Sequence, residues 1–253
     1  TIDSVTLENG NTFTANADYM GGIVGFVDVD NDKVVTINQC NIGGLPVETS
    51  GTGINLTNNS ATGSTGGIVG AEKSENRVEI TNCRVGTDSA NSADGIKVTI
   101  IGGQKLGGII GAMNNSGSKI ESSNIYNTTI QLNKIGGATP RYDVGMIAGY
   151  VNGSVNNVTS NLCTINTIQD SKGVTANDVN IGGIAGYVSV AANIGNANKN
   201  TITNFAINNS SNLASGSVIT AKTLHIGGMF GYVNSITTGV FNNNKVTFSD
   251  TGI

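Results

Sequence analysis

Asp28, Asp30 and Asp32 alternate in the run Asp-Val-Asp-Asn-Asp, a spacing like the opening of a calcium loop. An EF-hand loop then needs Gly at its sixth position and Glu at its twelfth, where this chain has Lys33 and Gln39. The run reads as an acidic, solvated turn, with calcium the one cofactor it could take and no other metal expected. Asp30 and Glu75 each lie nine residues past the first glycine of a motif described below. Stacked on one another, they would approach the ~5 Å separation of the two carboxyl groups in a retaining glycosidase. Lys33, Lys73 and Arg77 stand close by to neutralise them, which favours a non-catalytic reading.

His225 is the only histidine, so no His-Glu-x-x-His zinc site can be built. A Ser-His-Asp arrangement lacks its Gly-x-Ser-x-Gly elbow. His225 precedes its glycine motif by two residues, a position held by Lys105, Asp143 and Asn180 in other copies, and this reads as a solvent-facing column. Cys40, Cys83 and Cys163 align in one column with Ser123, as small core residues rather than nucleophiles. Tyr150, Tyr187 and Tyr232 form another column, with Phe26 in the first copy. Exposed, they would make a strip on which sugars stack; buried, a core ladder. Core is favoured, because the next residue is Val in all four copies. No catalytic residue is assigned, and Tyr150, Tyr187 and Tyr232 are the ligand-binding candidates.

These columns exist because the chain repeats itself. Gly21-Gly22-Ile23-Val24-Gly25 returns at Gly66, Gly107, Gly145, Gly182 and Gly227, in steps of 45, 41, 38, 37 and 45 residues. A period of this length marks a solenoid, propeller or array. Each repeat holds the motif and its tail, a second segment, and a variable stretch with another β-type run such as Ile54-Asn55-Leu56, Val98-Thr99-Ile100, Ile130-Gln131-Leu132 or Val218-Ile219. The second segments align as Ile37, Ile80, Ile120, Ser160, Ile202 and Phe241, and five residues on as Ile42, Val85, Ile125, Ile165, Ile207 and Val246. A turn rich in Asn (Asn38, Asn82, Asn161, Asn204, Asn243) separates the two.

No stretch of ten residues carries a helical apolar period, so helix is expected to be scarce. Three strand runs per repeat predict an all-β, parallel β-solenoid: a three-sided β-helix of about six coils, forming a single domain over 1–253. A propeller is the rival at this period, but it needs four strands per blade. The glycines are expected at sharp corners or close backbone approaches, and Asn amides are expected to bond from coil to coil.

The recurring Gly-Gly-[Ile/Met]-[Val/Ile/Ala/Phe]-Gly resembles the GLUG motif, found in tandem in bacterial secreted and surface proteins. Those include adhesin-like proteins and non-catalytic parts of some IgA-cleaving peptidases. The match runs from Gly21 to Gly231, and the copy at Gly145 departs with Met146 at the second glycine. The resemblance implies an extracellular or cell-surface β-helical adhesion module, without catalytic residues to carry over.

Composition agrees with a folded β protein: 38% hydrophobic and only 12% charged, against a usual charged share of ~25%. The net charge of −4 argues against nucleic acid or an anionic membrane as partner, and no apolar run approaches the ~20 residues of a membrane span. The chain begins at Thr1 without a signal-peptide pattern, and its last repeat breaks off after Val246, which reads as an excised or processed piece with complementary partial coils at its ends. The expectation is a non-enzymatic structural or adhesive module whose partner is a protein or glycan surface ligand. A carbohydrate-binding or carbohydrate-cleaving β-helix is the first alternative. End-to-end self-association into a filament is the second.

Overall fold

The computed structural model describes residues 1–30, 33–43, 53–60, 62–88, 95–132, 139–166, 174–189, 191–195, 199–208, 219–234 and 244–248. Asp32, Val218, Phe241 and Asn243 lie outside these. All elements among the described residues are β-strands, with no helix. One round of the chain runs through Val34–Asn38, Asn41–Ile42, Ile54–Asn58, Ser64–Gly66 and Val69–Glu72. The next round begins at Arg77–Thr81, which pairs in parallel with Val34–Asn38. Strands five apart in order thus stack on each other, or four apart in the last round where one strand serves two ladders, giving five ladders, here numbered one to five along the round. Ladders one, four and five are six-stranded sheets; ladders two and three join into a twelve-stranded sheet through Asn200–Asn208, which serves both.

The three strand runs read from the sequence are therefore subdivided. The second segment supplies ladders one and two, parted by a corner at which Ser4, Gln39, Asn82, Ser122 and Asn157 adopt left-handed backbone with φ of 50–56°. A second left-handed corner follows ladder two, at Gly86 (φ 74°), Asn127 and Asn204. Coil-to-coil amide bonds occur here as expected: Asn38 Oδ1 accepts from Asn82 Nδ2 at 3.0 Å, and Asn161 Oδ1 accepts from Asn204 Nδ2 at 2.8 Å. Such bonds suit Asn to the αL region, which costs other side chains more.

The core fills the inside of the winding. Ladder one contributes Ile37, Ile80, Ile120, Val155 and Ile194, and ladder two Ile42, Val85, Ile125, Ser160 and Ile202, all fully buried. Ladder three adds Leu56, Ile100, Ile130 and Ile165. Each such aliphatic contributes ~1.5–3 kcal/mol on burial, enough to offset the ordering of its own backbone.

This register corrects the sequence alignment from the fourth copy onward. Ile120 stacks on Val155, not on Ser160, and Ser160 stacks on Ile125. Ile165 and Ile207 belong to ladder three, on Ile130. Cys163 moves with them. It stands at the corner ahead of ladder three, just before Thr164–Asn166, while Cys40, Cys83 and Ser123 share the corner ahead of ladder two, with Ser123 Oγ accepting from Cys83 N at 3.1 Å. All three cysteines are buried free thiols, as core packing requires.

Candidate ligand-binding groove

The glycine motif joins ladder four to ladder five and presses the two together. A Cβ built on Gly70 would lie 2.6 Å from Met20 N, one on Gly111 2.6 Å from Thr65 N, and one on Gly149 2.6 Å from Leu106 N. From the second copy onward the third glycine thus admits the ladder-four strand of the preceding round, at a distance no side chain allows. Outward residues of the two ladders consequently converge.

Ladder five carries Phe26, Ala71, Ala112, Tyr150, Tyr187 and Tyr232 in one register column. The tyrosines face outward, contrary to the core reading: Tyr150 and Tyr187 are half-buried, and Tyr232 is 38% exposed. Strand alternation sets this, since Val151 and Val188 next to them take the inward positions at full burial. The rings stack at 5.4 Å between Tyr150 and Tyr187 and 5.1 Å between Tyr187 and Tyr232, nearly parallel. Centroid spacings of this size are those of offset stacks, which leave part of each face uncovered.

Ladder four carries Lys105, Asp143, Asn180 and His225 in one column, and Arg141, Asp178 and Thr223 in the outward column two residues earlier. The first column was expected to face solvent, but Asp143 is 1% and Asn180 2% exposed. Ladder five, folded back by the glycines, covers them. Asp143 is held by Arg141, whose Nε and Nη2 approach its Oδ2 at 2.9 and 2.8 Å. The Arg141 guanidinium also lies 3.9 Å over the Tyr187 ring, and the Lys105 ammonium 4.9 Å over that of Tyr150. Burial pushes the Asp143 carboxyl above its ordinary range, with Arg141, Asn180 and Lys105 opposing. Burial likewise pulls the Lys105 ammonium down, against the attraction of Asp143.

A polar line crosses three rounds. Asn180 donates from Nδ2 to Asp143 Oδ1 at 2.8 Å, which turns its own Oδ1 toward His225 Nδ1, also at 2.8 Å. An amide oxygen accepts only, so the neutral His225 ring donates from Nδ1 and keeps its Nε2 lone pair as an acceptor. His225 lies 5.2 Å from the Tyr232 ring, tilted by 54°. Asp178, in turn, accepts from the Thr223 hydroxyl. Arg141, Asp178, Asn180, Tyr187, Thr223, His225 and Tyr232 line a recess of about 450 Å³. A second recess of about 350 Å³ shares Arg141 and Asp178 with it and reaches Gln104, Lys105 and Asp143. The arrangement presents a half-exposed strip of stacked tyrosine rings beside hydrogen-bonding side chains held in fixed orientation.

The other candidates are not drawn into such a site. Asp28 pairs with Lys73 at 3.2 Å on the surface, and Asp30 is exposed in the turn whose carbonyl accepts from Lys33 N. Asp30 and Glu75 lie beyond the paired strands, which end at Val27 and Glu72, and both stand exposed. Among the described residues no group of three or more His, Cys, Asp or Glu could hold a metal ion. No described helix is long and apolar enough to cross a membrane.

Sequence reasoning passed over Arg141, Asp178 and Glu72. Glu72 occupies an inward position between Val27 and Met113 and is fully buried. Its Oε1 accepts from Asn115 N at 2.9 Å and its Oε2 from Ser118 Oγ at 2.7 Å, tying together two rounds. Burial pushes its carboxyl up to about 7. No family model matches the chain, and neither curated proteins nor solved structures give a match.

Proposed function

We propose that this chain is a non-enzymatic structural and adhesive module of a bacterial cell-surface or secreted protein. Its winding is a parallel β-solenoid of six coils, one for each copy of the GLUG-like motif, and three-sided in the sense that three sequence segments supply each coil. The observation that carries the reading is the Tyr150–Tyr187–Tyr232 strip with the Arg141–Asp143–Asn180–His225 line beside it. A repeat that serves only to pack has no need of an outward aromatic column braced by buried ionic groups. The chain-to-chain spacing of a solenoid multiplies such contacts along one face, which is how a shallow surface gains hold on an extended ligand. The acids at Asp28, Asp30 and Glu75, each exposed, supply no paired carboxylates in a cleft.

Fluorescent beads carrying the chain test this on cultured epithelial cells and on bacterial cells. Beads are expected to bind one of these surfaces and to lose that binding when Tyr187→Ala and Tyr232→Ala are combined. Equal binding by bare beads, or unchanged binding by the double variant, overturns the reading. So does release of reducing ends from a glycan by the chain itself.

End-to-end association with a second copy is supported by a separate observation. Phe13, Tyr19 and Phe26 are exposed on the strands at one edge of the described sheets, and Leu224, Ile226, Tyr232 and Val233 at the other. Unpaired, apolar edges are templates for another chain.

A further inference from the structure

We infer that the groove between ladders four and five takes an extended, neutral glycan chain, running along the stack of strands with about one sugar ring per rung. The inference rests on the adhesive reading above and names its ligand class. Three observations carry it.

The first is charge. Arg141 is neutralised by Asp143, which it contacts through two nitrogens, so its charge is already committed. Asp178 adds a carboxylate at the rim of both recesses. Among the described residues the cations of the two recesses, Arg141 and Lys105, both stand beside Asp143, so an anionic sugar would meet the Asp178 carboxylate without a cation set aside for it. Sugar hydroxyls, which donate as well as accept, suit it.

The second is the fixed pattern of donors and acceptors. Asp143 orients the Asn180 amide, and Asn180 orients the His225 ring, so the His225 Nε2 acceptor is preset rather than chosen by the ligand. Asp178 is held by Thr223 in the same way. Preset polar groups beside a partly exposed aromatic strip suit a polyhydroxylated pyranose, with its apolar face against the outer side of the stacked rings and its hydroxyls on the polar groups.

The third is length. The Tyr150, Tyr187 and Tyr232 centroids are spaced at 5.4 and 5.1 Å. That is about the length of one hexopyranose residue in an extended, diequatorially linked chain. A coiled α-linked glucan does not keep step with it. The two recesses share Arg141 and Asp178 and are lined from successive rungs of ladder four.

Isothermal titration of the full chain tests this with β-1,4-linked hexasaccharides of glucose, mannose and xylose, with maltohexaose, and with an oligogalacturonate of equal length. At least one β-1,4-linked neutral hexasaccharide is expected to bind with a Kd of about 1 mM or tighter, and its disaccharide more weakly. Tyr232→Ala, His225→Ala and Asp178→Asn are each expected to weaken it about tenfold or more, equivalent to ~1.4 kcal/mol. Glu121→Ala, on ladder one, is expected to bind as the parent does, and urea midpoints check that every variant is folded. Failure of all neutral β-1,4 chains to bind overturns the inference, as does tighter binding of the oligogalacturonate or equal binding of maltohexaose. If those titrations fail while bead adhesion persists and still depends on Tyr187 and Tyr232, the glycan is wrong and the adhesive reading stands. If both fail, the groove is not a binding surface.

Discussion

A Cβ added to Gly108 would stand 3.1 Å from Cδ1 of Ile125. The same relation holds at Gly22 with Ile42, at 2.7 Å, and at Gly67 with Val85, at 2.9 Å. In these three copies the second glycine thus leaves room for the ladder-two aliphatic of the next round. One rung beyond Gly108 the sizes are reversed: Met146 replaces the glycine, and Ser160 replaces the aliphatic. Both are fully buried. The departure at Met146 is a compensated exchange of large for small.

Met146→Gly is therefore expected to destabilise by about 2–5 kcal/mol, because the void beside Ser160 is not refilled. Ser160→Ile alone is expected to overpack and cost about 1–3 kcal/mol. The double variant should recover much of both losses. Urea midpoints in a double-mutant cycle measure the coupling, and additive losses would mean the two side chains do not share that space.

The Arg141–Asp143 pair makes a second prediction. Arg141→Met leaves a buried carboxylate with Asn180 and Lys105 alone and should destabilise by about 3–5 kcal/mol. Asp143→Asn in the same chain should restore much of that. The sign with pH follows from the raised Asp143 carboxyl. Its protonated form is favoured in the fold, so the Arg141→Met chain should gain stability as pH falls toward the ordinary Asp range. Chemical denaturation across acidic pH checks it; a loss steeper than the parent's on acidification would contradict it.

Glu72 gives a pH dependence of its own. Its carboxyl is raised from 4.5 to about 7 by burial, so the folded state holds its proton where the unfolded state has lost it. The resulting stability is present below pH 4.5 and is lost as pH rises through about 7, on the order of 3 kcal/mol in all. Glu72→Gln should flatten that fall. Parallel profiles for parent and variant between these pH values would rule it out.

Burial also pushes the Cys83 thiol up to about 12 and the Cys163 thiol up to about 11. A disulfide reagent such as DTNB should leave all three thiols unmodified in the native chain and react with them on unfolding. Rapid native labelling of Cys83 would place its column outside.

The exposed edges predict association that rises with concentration. Tyr19→Lys and Ile226→Lys should each reduce it, seen by light scattering. A parent chain that stays monomeric at high concentration would remove the end-to-end reading.

The glycine column was legible in the sequence because close approach of backbone admits no side chain at the first and third positions of the motif. The second-segment columns were less so. Ile120, Ile125 and Ile130 follow at five-residue intervals, as do Val155, Ser160 and Ile165. Sliding the alignment by one strand sets Ile165 on Ile125 instead of Ile130 and Ser160 on Ile120 instead of Ile125, so Ser160 meets an isoleucine either way and the slip leaves no mark. Likewise Lys105, Asp143, Asn180 and His225 were visible as a column, but their burial depends on ladder five folding across them. That is a tertiary effect of glycines several residues away. The outward Tyr column misled because Val beside it fits either face; alternation gives the parity of a strand but not which parity is inside.

The ladder register beneath the groove can be measured with pyrene on paired cysteines, the native thiols being buried. Tyr150→Cys with Tyr187→Cys should give strong excimer emission after labelling, since those positions are adjacent rungs on the outer face. Tyr150→Cys with Glu121→Cys, on different ladders, should give monomer emission. Monomer emission from the first pair, or equal excimer from both, would contradict the stacking of Tyr150 on Tyr187 and with it the binding strip.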